Sequence, residues 1–172
     1  QFDLPAPDHH LGVGSASHGA QTGEMLARLE SVLEATPPDI LVVHGDTNST
    51  LAGALVASKM DDVDLAHVEA GLRSYDETMP EEVNRHLTDH VSQYCFAPTR
   101  ETAANLRAEN IDPDRIHVTG NTIVDAVHAH RDAARDRSDV LEELNVRPGS
   151  FYLLTAHRGE NVDDPERFDR LL

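Results

Sequence analysis

Four short apolar runs punctuate the chain, at residues 39–43, 64–68, 94–97 and 116–118. Each is too short for a helix, and Asp39-Ile40-Leu41-Val42-Val43 is nearly unbroken, the pattern of a parallel-sheet strand buried on both faces. Between these runs the period changes to that of helices. Met25, Leu26, Leu29, Val32 and Leu33 mark a helix over 22–35, which Pro37-Pro38 stops. Leu51, Ala52, Leu55 and Val56 mark a second over about 49–59. Pro80 suits the first position of a third, running to about Val91. Pro98-Thr99 opens a fourth that reaches Glu109, and Gly120-Asn121-Thr122 opens a fifth that reaches at least Arg131. Strands alternating with helices predict an α/β fold built on a doubly wound parallel sheet.

The two ends read differently. Residues 1–20 are irregular, so the first predicted helix has no strand before it. Arg147-Pro148-Gly149-Ser150 reads as a linker, Phe151–Thr155 as a further strand, and Pro165 as a helix start. One strand after a linker cannot form a domain by itself. The expected organisation is therefore most of one α/β domain over 1–147, its first strands missing, and the opening of a second over 148–172. The length of 172 residues suits one domain or one domain with part of another.

Composition narrows the partners. There are 31 Asp+Glu against 14 Lys+Arg, a net charge of −17. Such a field repels phosphate backbones and anionic lipid surfaces, so neither nucleic acid nor membrane is an expected partner. No apolar run approaches the ~18–20 residues that span a bilayer. The start Gln1–Pro5 lacks the features of a signal peptide, which points to a cytoplasmic location. The lone cysteine, Cys95, excludes an internal disulfide. It lies mid-strand with no flanking base, as a buried apolar cysteine does. The carboxylates are spread along the chain rather than gathered in a tail, and Lys59 is the single lysine. That composition fits a surface adapted to concentrated salt, where a Debye length of about 3 Å screens self-repulsion.

Ligands of parallel α/β sheets bind beyond the carboxyl ends of the strands. Those ends here carry His44-Gly45-Asp46-Thr47, Glu69-Ala70-Gly71-Leu72-Arg73, Thr119-Gly120-Asn121-Thr122 and Ala156-His157-Arg158-Gly159-Glu160. Small residues let a ligand approach backbone amides, and helix N-termini favour phosphate. His157-Arg158, a local cationic pair in an acidic protein, favours an anionic ligand. Asp46 and Glu69 follow successive strands and should share one rim, where paired carboxylates can divide the giving and taking of protons. The plainer alternative makes them helix N-caps or first-turn acids. His86 and His90 are four apart on a predicted helix, yet no third metal ligand lies near them in the sequence.

Five ordered motifs then carry a resemblance. His44-Gly45-Asp46-Thr47, His67-Val68-Glu69-Ala70-Gly71-Leu72-Arg73, Pro80-Glu81-Glu82-Val83-Asn84-Arg85, Thr119–Asp125 and Thr155–Asn161 resemble the non-hydrolysing UDP-N-acetylglucosamine 2-epimerases over roughly Pro38–Asn161. The resemblance implies a GT-B-type pair of Rossmann-like domains, a family protein about twice this length, and substrate bound between the halves. It implies inversion at C2 between UDP-GlcNAc and UDP-ManNAc, through elimination of UDP to a 2-acetamidoglucal and re-addition after protonation from the other face. It matches Asp46, Glu69, Glu81 and His157 to the family's functional residues, with Arg158 helping His157 at the diphosphate. No metal or nicotinamide is implied, and a homodimer is. Gly159 departs from the family, whose members often carry a second arginine there. Related readings are a hydrolysing epimerase, another GT-B nucleotide-sugar enzyme, or a non-catalytic fragment that binds a nucleotide sugar.

Overall fold

The computed structural model describes residues 5–156 and 162–170. The elements are α1 (His18–Ala35), β1 (Ile40–His44), α2 (Asn48–Ala57), β2 (Asp64–Val68), α3 (Pro80–Val91), β3 (Tyr94–Ala97) and α4 (Arg100–Ala108). A 3-10 turn at Pro113–Arg115, β4 (Ile116–Val118), α5 (Thr122–Arg137), α6 (Val140–Glu143) and α7 (Pro165–Asp169) follow. The chain divides into two compact units, Gln1–Asp125 and Ala126–Leu172. The first holds the sheet. The second holds most of α5, with α6 and α7. No helix among the described residues is long and apolar enough to cross a membrane.

The four strands form one parallel sheet in the order β1-β2-β3-β4, the α/β architecture expected. Register pairs Leu41 with Leu65, Val43 with His67, His67 with Cys95, and Cys95 with Ile116. Because side chains alternate along a strand, these residues share one face of the sheet. The core lies on that face. Ala54 and Ala57 of α2 and Val91 of α3 pack around Val43 and Leu65. Ala103 and Leu106 of α4 pack on Cys95, Ala97 and Ile116. The opposite face is less covered, with Ile40 at 49% and Val42 at 60% exposure. The apolar run predicts burial of β1 on both sides, whereas the described helices cover one.

Helix starts follow local chemistry. Thr47 caps α2, its hydroxyl accepting from the Thr50 amide at 3.4 Å. Thr99 and Thr102 cap α4 reciprocally, with bonds of 3.0 and 3.2 Å between each amide and the other's hydroxyl. Pro80 begins α3, as the sequence predicts, and places Glu81 and Glu82 in its first turn, where the helix dipole favours acids. Helix α1 begins at His18, ahead of the apolar period that starts at Met25. Two further departures concern the end of the chain. Phe151–Thr155 forms no strand, because a strand exists only when a neighbour accepts its ladder, and among the described residues none does. The short helix α6 falls in a stretch without apolar periodicity.

Candidate active site

Strands β1 and β2 end side by side, His44 opposite Val68, and the Gly45 amide extends the ladder by donating to the Val68 carbonyl at 3.1 Å. Asp46 is therefore presented one residue beyond the sheet. Thr47 caps the following helix, so Asp46 is not its N-cap. Helix α3 holds Asp46 twice. Asn84 donates to its carbonyl at 2.8 Å, and Arg85 Nη2 donates to its carboxylate at 2.6 Å.

Glu69 follows β2 with a φ of +71°, a left-handed conformation that a glutamate seldom adopts. Strain of this kind gathers where a side chain must be aimed. No helix begins here, since residues 69–79 form an irregular segment, so the first-turn role falls away as well. The Glu69 carboxylate lies 3.5 Å from His44 Nε2 and accepts from Asn121 Nδ2 at 3.1 Å. The loop after β4 thus reaches the rim formed by β1 and β2.

Glu81 and Glu82 divide the first turn of α3 between them. Glu81 is part-exposed, whereas Glu82 is 1% exposed. Glu82 accepts from the Ser74 and Tyr75 amides at 3.0 Å each and from Arg85 Nη1 at 2.6 Å. Burial alone would raise its pKa. The Ser74 amide, Arg85 and the Tyr75 amide outweigh burial and lower it to about 2. Arg85 is likewise opposed by burial, yet Glu82 and Asp46 hold its guanidinium above the usual arginine range. Glu82–Arg85–Asp46 is thus a fixed ionic bridge from α3 to the end of β1.

A second ionic network lies beneath the rim. His67, Asp89 and the Arg73 side chain are fully buried. His67 Nδ1 meets Asp89 Oδ1 at 2.7 Å, and Asp89 Oδ2 pairs with Arg73 Nη2 at 2.7 Å. Arg73 also donates through Nε and Nη2 to both oxygens of Glu109, each at 2.6 Å. Burial opposes the Arg73 charge, but Glu109 and Asp89 raise its pKa above the usual range. Glu109 is held below the carboxylate range by Arg73 in spite of its own burial.

The structure thus sets Asp46, Glu69 and the first turn of α3 around the ends of β1 and β2. His157 and Arg158 lie outside the described residues. His86 is taken up by carboxylates, its Nδ1 3.4 Å from Glu109 and its Nε2 3.7 Å from Glu82, and His90 Nδ1 bonds to the His86 carbonyl at 2.8 Å. Sequence reasoning assigns no role to Arg85, Glu82, Asp89 or His67. The available signals were a histidine inside an apolar strand and an arginine one turn beyond Glu81-Glu82.

Comparison with known proteins agrees with the ordered motifs. The profile of the UDP-N-acetylglucosamine 2-epimerase family matches residues 1–172. A UDP-N-acetylglucosamine 2-epimerase of Methanocaldococcus jannaschii is 51% identical over 174 residues, covering 100% of this chain and 47% of the relative. A UDP-2,3-diacetamido-2,3-dideoxy-D-glucuronate 2-epimerase of Pseudomonas aeruginosa is 43% identical over 172 residues, with 100% of this chain and 48% of the relative covered. The crystal structure of the M. jannaschii enzyme in complex with UDP-GlcNAc and UDP superposes with a TM-score of 0.87, at 51% identity, over 98% of this chain and 46% of that one. The chain spans about half the length of the relatives it matches. With the whole chain inside the profile and its parallel sheet matching that of a solved member, the protein belongs to the UDP-N-acetylglucosamine 2-epimerase family.

Proposed function

We propose that this chain supplies the proton-transfer acids of an enzyme that interconverts UDP-GlcNAc and UDP-ManNAc. The observation carrying the reading is the gathering of Asp46, Glu69 and the Glu81 turn at the carboxyl ends of two neighbouring parallel strands. The C2–H bond is not activated by a ketone, so a base must take the proton as the C1–O bond breaks. UDP leaves with that electron pair, and C1=C2 forms. A second acid protonates C2 from the opposite face while UDP returns to C1. Three carboxylates around one rim provide groups for both faces and for holding the sugar. His157, aided by Arg158, is assigned to the charge on the departing diphosphate.

In this reading residues 1–147 belong to the first of two Rossmann-like domains of GT-B type and 148–172 open the second. Substrate binds between them, and the full-length enzyme works as a cytoplasmic homodimer in concentrated salt. It needs neither metal nor nicotinamide, and it feeds surface polysaccharide or glycoprotein synthesis. The 172 residues alone are expected to be inactive, and robust turnover by the isolated chain overturns that division. The similarity to the Pseudomonas aeruginosa enzyme favours a second reading, a UDP-2,3-diacetamido-glucuronate as substrate.

The test is exchange of the C2 hydrogen with solvent deuterium by the full-length protein, with either nucleotide sugar. Asp46→Asn, Glu69→Gln and Glu81→Gln should each lower exchange by ~100-fold or more. Undiminished exchange in all three refutes their roles. Release of free ManNAc with UDP would mark a hydrolysing enzyme instead.

A further inference from the structure

His67 is a fully buried imidazole near the carboxyl end of β2, and the proposed chemistry does not use it. Both ring nitrogens are engaged. Nε2 lies 2.8 Å from the Gly45 carbonyl oxygen and Nδ1 lies 2.7 Å from Asp89 Oδ1. A carbonyl oxygen only accepts, so Nε2 carries a hydrogen and donates it to Gly45.

The partners of these bonds matter more than their number. Gly45, at a φ of +74°, immediately precedes Asp46. The Gly71 amide, two residues beyond Glu69, donates to Asp89 Oδ2 at 3.1 Å. The backbone segments leaving β1 and β2, each carrying a candidate proton-transfer acid, are therefore tied to one carboxylate. Gly71 is tied directly and Gly45 through the imidazole. That carboxylate belongs to α3, the helix whose first turn carries Glu81 and whose Arg85 grips Asp46. Arg73 and Glu109 hold Asp89 in place from the other side. An imidazole that served only to fill the core would need partners for its two nitrogens, but they need not be the residue before one acid and the anchor of the other.

We propose that His67 is a positioning residue, which through Asp89 fixes the Gly45 carbonyl and so sets Asp46 in register with Glu69. It touches no substrate. Its effect on the reaction rests on the epimerase reading, whereas its effect on the loop does not. A misplacement of about 1 Å in a reacting group can cost on the order of 100-fold in rate, so loss of the Gly45 bond should appear in kcat rather than in binding.

Two amides separate the two bonds. In glutamine the side-chain nitrogen occupies the place of the imidazole Nε2, and in asparagine that of Nδ1. In the full-length protein, His67→Gln keeps the donor to Gly45 and should hold kcat within about threefold. His67→Asn keeps the contact with Asp89, loses Gly45, and should lower kcat by about 10- to 100-fold with KM little changed. Amide hydrogen exchange at residues 45–47 should quicken in His67→Asn and not in His67→Gln. The proposal is overturned if both variants lose activity equally, in step with a fall in melting temperature, or if His67→Asn keeps wild-type kcat. Should neither variant fold, the wild-type protein decides. Its His67 Nε2 hydrogen must exchange slowly with solvent, and rapid exchange overturns the proposal. Absence of C2 hydrogen exchange in the wild-type protein with both UDP-GlcNAc and UDP-ManNAc refutes the reading of these as substrates, and the amide-exchange contrast then decides on the clamp.

Discussion

Glu82 and Arg85 show how much of the rim depends on charge held out of water. Replacing Glu82 by glutamine leaves the guanidinium of Arg85 with Asp46 alone and weakens the acceptor for the Ser74 and Tyr75 amides. We expect Glu82→Gln to lower unfolding free energy by about 2–4 kcal/mol in a denaturant titration. The sign of its pH dependence follows from the direction of the shift. The folded-state pKa, about 2, is below the ordinary value of 4.5, so the contribution of Glu82 is complete above 4.5 and is lost as pH falls through about 2. Acid unfolding of the wild-type chain should be steeper in that window than that of Glu82→Gln, and identical acid profiles would refute this assignment. Cys95 behaves oppositely. Burial, then the charge of Asp89, pushes its thiol up to about 12, so iodoacetamide in mildly alkaline buffer should label it only after unfolding. Asp46 and Glu69 stand out as candidates in the sequence because they follow strand ends, whereas Glu81, in the first turn of α3, is singled out only by the resemblance of its motif. The partners that hold Asp46 and Glu69 were not legible, since Arg85 is 39 residues from Asp46 and Asn121 is 52 from Glu69. Only the fold closes those distances.

Elements were legible where a local signal coincided with a boundary. The bounds of β2, β3, β4 and α3 are those the sequence predicts, because Pro80 starts a helix and the apolar runs are short and clearly ended. Phe151–Thr155 carries the same signal and gives no strand, since apolar content names a candidate whereas the ladder needs a partner. The turn between β2 and α3 holds the sharpest steric demand. Gly71 has a φ of +79°, and a Cβ there would run into the Thr102 carbonyl oxygen and crowd Leu106. Gly71→Ala should therefore cost at least about 2 kcal/mol by thermal or denaturant unfolding. Gly14→Ala, with nothing within 4 Å of the added carbon, should change stability little, and equal effects at the two sites would contradict the steric explanation.

At the scale of the whole molecule, charge and winding direction matter most. With 31 acidic against 14 basic side chains, folding brings like charges together that the unfolded chain keeps apart. Raising potassium chloride from ~0.1 M to ~1 M shortens the Debye length from about 10 Å to about 3 Å, and the melting temperature should rise with it. A melting temperature indifferent to salt would remove the salt-adapted reading of the −17 net charge. The winding is set by strand order. From β1 to β4 the sheet advances in one direction only. Crossovers of the usual right hand then carry successive helices to one side, which agrees with a core confined to the face of Leu65 and Cys95. Among the described residues β1 is an edge strand, and crossovers of the same hand would roof the barer face of Ile40 and Val42 from strands that advance the opposite way off that edge. A reversal at that edge would open a crevice at the carboxyl end of β1, and the side chain standing at its mouth is Asp46.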